Sequence, residues 1–170
     1  MIDLLPWLER SWVFGQPARL FPATLERLRG TPARARALTA DVDAALLTRH
    51  AEGRWSAQEH IAHLDDLHEL DVARLEAFRG RADVLPAADM TNQRTHTANH
   101  NARSIADVLA RFERRRIALV ESMDALGDAD VEWAALHPRL KQRIRLADWA
   151  YFVAEHDDHH LVRARRALDL

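Results

Sequence analysis

An all-α four-helix bundle is the fold class this sequence predicts, on three observations. Apolar residues recur at helical spacing along most of the chain, alternating valine- or isoleucine-rich runs are nearly absent, and two capping boxes mark helix starts. The 170 residues, with no internal repeat, are one domain's worth. The expectation is a single helical-bundle domain over residues 1–170, with a long connection between its second and third helices.

The first helix lies between about Ala18 and Leu47 and is interrupted. Leu20, Phe21, Leu25 and Leu28 keep helical spacing until Gly30-Thr31-Pro32, which reads either as a kink or as a stop and restart. The second start is sharper. Ser56 and Glu59 form a capping box, after which Ile61, Leu64, Leu67, Val72, Leu75 and Phe78 share a face, with Gly80 as the terminator. From Arg81 to Arg103 the pattern fails, and such a length implies a functional or partly helical connection. Ser104 and Asp107 open the third helix, whose stripe runs from Ile105 through Phe112 to Leu126. Residues 128–145 read as irregular. The fourth helix, from about Leu146 to Leu168, turns Trp149, Phe152, Val153, His156 and His160 to one side.

Charge and cysteine usage narrow the function classes. With 24 basic and 26 acidic residues the formal charge is −2, so nucleic-acid binding ranks last. The absence of cysteine removes disulfide frameworks, thiol nucleophiles and cysteine-ligated metals. No apolar run approaches the ~18 residues of a membrane helix, and the first residues lack a secretory pattern. A soluble cytoplasmic protein is expected.

The ten histidines carry the chemistry. His156 and His160 stand on consecutive turns of the fourth helix, on its core face. Two buried imidazoles without partners are costly, and a divalent cation resolves this by taking a lone pair from each neutral ring. A lone pair of this kind is ordinarily a solvated face. His60 and His63, early in the second helix, supply a second cluster, and periodicity does not choose between them as the third ligand. Asp157 and Asp158 are nearby acceptors, although adjacency puts them on other sides of the helix. His96 and His100 read as a polar helix entry or as the mouth of a cavity. His159 and His137 read as surface or outer positions, and Arg114-Arg115-Arg116 as a solvated face.

The segment Trp55-Ser56-Ala57-Gln58-Glu59-His60-Ile61-Ala62-His63, with His156-Asp157-Asp158-His159-His160, resembles the DinB/YfiT-like family. That resemblance implies a four-helix bundle holding one divalent metal ion through three histidines, which fall on His63, His156 and His160. His60 stands where the family pattern has an apolar residue, which leaves it as an alternative ligand or an outer partner. Zn or Ni is the expected ion, with Fe or Mn as further candidates. The resemblance also implies a metal-dependent enzyme, a thiol-dependent transferase or a hydrolase, acting on a small molecule with a low-molecular-weight thiol as cosubstrate. It implies a homodimer. The competing expectation is a non-catalytic metal-binding stress-response module. No catalytic residue beyond the ion's holders is legible.

Overall fold

Gly30 decides the course of the first helix. Helix α1 (Phe21–Arg29) and helix α2 (Thr31–Thr39) meet at this residue, whose backbone stays right-handed at φ −79°, ψ −12°. Gly30 N donates to Glu26 O and Arg34 N to Gly30 O, so the helical bonding passes through and the segment kinks rather than restarts. The structure, a computed structural model, describes residues 2–50 and 53–169; Met1, Ala51, Glu52 and Leu170 lie outside the described residues.

A short α3 (Ala44–Leu47), capped by Asp43, leads to α4 (Ala57–Asp66). Both arms of the Ser56–Glu59 capping box form, with Ser56 N donating to Glu59 Oε2 at 2.8 Å and Glu59 N to Ser56 Oγ at 3.1 Å. Leu67 then separates α4 from α5 (His68–Arg79). At the end of α5, Gly80 keeps a right-handed backbone, and Arg81, at φ 57°, is the residue that turns the chain. Within residues 80–104 the chain forms α6 (Gln93–Thr97) and a 3-10 turn at His100–Ala102. Helix α7 (Ile105–Asp124) follows, then α8 (Asp128–Val131) and the long α9 (Leu146–Ala167). Among the described residues, no helix is long and apolar enough to cross a membrane.

One expectation is corrected: the fold is mostly helical, not all-α. Strands β1 (Ala134–His137) and β2 (Gln142–Arg145) pair antiparallel, with Ala134 opposite Arg145 and His137 opposite Gln142. The hairpin survives because its inner residues, Ala135 and Ile144, are fully buried, and because residues 83–85 bond its edge. Leu136 N donates to Asp83 O, and Leu85 N to Leu136 O. Two short strands would be marginal alone; tertiary burial makes them.

The bundle consists of α1–α2, α4–α5, α7 and α9, with α4 against both α7 and α9, and α1 against the same pair. Its core is divided. One apolar cluster gathers Leu28, Leu75, Phe78, Leu119, Trp149 and Val153. The other gathers Ala35, Ile61, Leu109, Ala164 and Leu168. Between them every helical arm carries buried polar residues: Thr31, then His63 with Asp71 and Arg74, then Arg116, then Asp157 with His160. A polar layer of this kind requires partners for each group.

Candidate metal centre

His63 from α4 and His156 and His160 from α9 converge in that layer. Each offers one ring nitrogen, and the three nitrogens lie within 4.8 Å of one another. The ring centroids are 4.6 Å apart for His63 and His160, 4.4 Å for His156 and His160, and 5.4 Å for His63 and His156. Trp55, just before the capping box, packs on the cluster, with its ring 4.9 Å from that of His63.

Hydrogen bonds select the tautomers. Thr95 Oγ1 donates to Asp66 Oδ2 at 2.8 Å, so it can only accept from His63 Nδ1 at 2.9 Å. His63 therefore carries its proton on Nδ1 and keeps a free lone pair on Nε2. His60 Nδ1 stands 3.1 Å from His160 Nδ1. If His160 donates there, its Nε2 is likewise free. His100 Nε2 donates to the same Asp66 oxygen at 2.8 Å.

Burial keeps these rings neutral. It lowers His63 to about 4, with His100 and His96 adding to the effect and Asp66 opposing it. His156 and His160 lie well below the ordinary imidazole value, through burial first and neighbouring histidines next. Three neutral imidazoles with one ring nitrogen each within 4.8 Å of the others are the donor set that borderline divalent cations take, and the residues fit such an ion.

The remaining residues singled out in the sequence scatter around this centre. His60 is buried beside His160, in the outer-partner position, and burial lowers it to about 3. Asp157 does not meet the histidines; its Oδ1 accepts from Arg116 Nη2 at 2.9 Å on α7. Asp158 turns the other way, toward Arg27 and Arg34. His96 is exposed against the edge of Trp55, whereas His100 is buried on Asp66. His159 and His137 are buried, which leaves the outer position of the two placements expected for them, the first beneath Trp7 and the second against Phe152. One placement is a correction. Arg116 is not solvated but 4% exposed, because Asp157 draws it inward.

The centre opens into a cavity of about 1040 Å³, and several of its walls are invisible in the sequence pattern. The amino-terminal segment crosses the cavity: Trp7 stacks edge-on to His156 at 4.9 Å and lies 5.0 Å from Phe152, while Trp12 packs on Phe152 at 4.8 Å. Arg10 ties this segment to Glu155 of α9. Asp71 and Arg74 of α5 are buried and line the cavity, and Val72 and Ala73 between them are exposed. This corrects the predicted face of the second helix at Val72, whereas Ile61, Leu64, Leu75 and Phe78 are buried as expected. The spacing His63, Leu67, Leu70, Asp71, Arg74 was the available signal, a second stripe beside the apolar one.

Comparison with known proteins places this fold. A family model described as the DinB superfamily matches residues 27–162. Among solved structures, YfiT from Bacillus subtilis, described as a probable metal-dependent hydrolase with an unusual four-helix bundle topology, superposes with a TM-score of 0.79. The identity is 15%, over 94% of this chain and 91% of that one. A mycothiol-dependent maleylpyruvate isomerase superposes with a TM-score of 0.65 at 14% identity, over 84% of this chain and 59% of that one. No curated protein matches the sequence. At these identities the structures speak for the fold alone, but the family match spans most of the sequence: the chain belongs to the DinB superfamily.

Proposed function

We propose that this chain is a metal-dependent enzyme of the hydrolase or thiol-dependent transferase type, with His63, His156 and His160 holding one divalent cation. The convergence of three neutral ring nitrogens within 4.8 Å, beside a large cavity, carries the reading. Zn or Ni suits such donors. When bound, an ion with only neutral ligands activates a water or a thiol as a nucleophile near neutral pH.

The chain's own residues supply the rest. Thr95 and Asp66 hold His63 in the tautomer that presents Nε2, and His60 performs the corresponding task for His160. Trp7 and Phe152 line one side of the cavity with apolar surface, and Trp12 supports that wall by packing on Phe152. Asp71, lining the same cavity, is the group for proton transfer. Burial raises it to about 6 against the pull of Arg116 and Arg74, so it exchanges a proton near neutrality. The mycothiol-dependent relative supports a thiol cosubstrate.

Elemental analysis of the purified protein tests the centre. Roughly one ion per chain is expected, falling severalfold in His156→Ala while circular dichroism stays helical. Unchanged stoichiometry would mean the ligands are wrongly assigned. Thiol consumption against panels of electrophiles, with and without added Zn or Ni, tests turnover. Metal-dependent melting without any turnover would leave a binding module instead of an enzyme.

A further inference from the structure

We infer that the cavity wall formed by Arg74, Arg116, His137 and Arg139 is a second subsite, which binds the carboxylate of a small organic acid. Buried hydrogen-bond donors without partners there outnumber such acceptors, of which Asp157 Oδ2 is the one among the described residues of this wall. Arg139 makes no ion pair or hydrogen bond among the described residues; its Nη2 is buried without a partner, and its guanidinium lies 5.5 Å above the Phe152 ring. Arg74 is 4% exposed, yet among the described residues its one bond runs from Nε to Pro86 O, and none of their carboxylates lies within ion-pair reach. Arg116 uses Nη2 on Asp157 and leaves Nη1 buried and unpartnered. His137 accepts from Leu140 N through Nδ1, which makes Nε2 the donor, and that atom too is buried without a partner.

Buried donors in such number are rarely left unmade. All four residues line the cavity that holds the three histidines. Asp157 and Asp71 are the carboxylates among them, so even with both ionised the three guanidinium groups leave one positive charge over. An anionic ligand offsets that surplus. Arginine forks suit the two coplanar oxygens of a carboxylate. The organic body of the ligand would lie on Phe152 and Val153, which are apolar walls of the same cavity. The inference rests on the proposed function only in taking the bound acid for the substrate; its geometry is independent of the ion.

Calorimetric titration of the metal-free full chain with benzoate, and separately with inorganic phosphate at constant ionic strength, tests it. Wild type is expected to bind benzoate saturably, with Kd rising about ten-fold or more in Arg139→Gln and by less in Arg139→Lys. Zinc uptake by Arg139→Gln should match wild type, which separates this subsite from the metal centre. Absence of saturable benzoate binding, or an unchanged Kd in Arg139→Gln with helicity intact, overturns the inference. Phosphate binding tighter than benzoate overturns the carboxylate assignment. A His156→Ala variant that keeps its zinc overturns the metal centre and leaves this subsite standing.

Discussion

Thr95, itself buried, governs which nitrogen of His63 carries the proton. Its hydroxyl hydrogen is committed to Asp66, and Asp66 is itself committed. Burial opposes ionisation of that carboxyl, but bonds from His100 and Thr95 hold it below the usual carboxylate range. The charge stays on Asp66, the hydroxyl stays oriented, and the imidazole proton stays on Nδ1. Replacing Thr95 by Val removes the relay and frees the ring to take the other tautomer. Zinc affinity, read by competition with a chromophoric chelator, should fall about 10–100-fold in Thr95→Val, while Thr95→Ser should stay close to wild type. Equal losses in both would mean that the methyl group, not the hydroxyl, matters.

At the scale of elements, the start of α4 shows what a short stretch of sequence can specify. Ser56 and Glu59 satisfy each other within four residues, so the cap is local and legible, and it fixes the turn that carries His60 and His63. Ser56 Oγ also donates to Asn101 Oδ1, and Gln58 donates to His100 O and Arg103 O, which bind the helix start to the connection before α7. Ser56→Ala should therefore destabilise the chain by about 1–2 kcal/mol in denaturant unfolding, at the upper end for a cap because the residue is buried. A change below a few tenths would mean that the cap is dispensable. The same locality made the paired histidines of α9 readable. It reached only part of α5: Leu75 and Phe78 of the apolar stripe are buried as expected, but Val72 is exposed and Asp71 and Arg74 are buried beside them. Two stripes lie side by side there, and both turn inward, one against the apolar core and one against the cavity. The hairpin was missed for a related reason. Strands of four residues carry too little alternation to register, and their stability comes from residues 83–85, far from the hairpin in the sequence.

For the molecule as a whole, the divided core makes folding stability depend on acidity. His60, His137 and His159 are buried and lowered to about 3, 4 and 4, in each case through burial first. An unfolded chain binds protons at these residues near pH 6.5, and the native chain does not until pH approaches 4. The stability they confer is full above about 6.5 and drains away as pH falls toward 4. Asp71 acts in the opposite sense, since its raised value costs stability as pH rises through about 4 to 6. The histidines outnumber it, so the melting temperature of the metal-free protein should drop by on the order of 10 °C between pH 7 and pH 5. A flat profile would contradict the burial of neutral imidazoles.

Residues 7–12 close over α9. The chamber is therefore walled by segments far apart along the sequence, with Arg10 tied to Glu155 across 145 positions. Closing so long a loop is costly in entropy, so Trp7 and Trp12 find Phe152 only once the helices beneath them are in place, and excising residues 7–12 would unroof the chamber while keeping most of the helices.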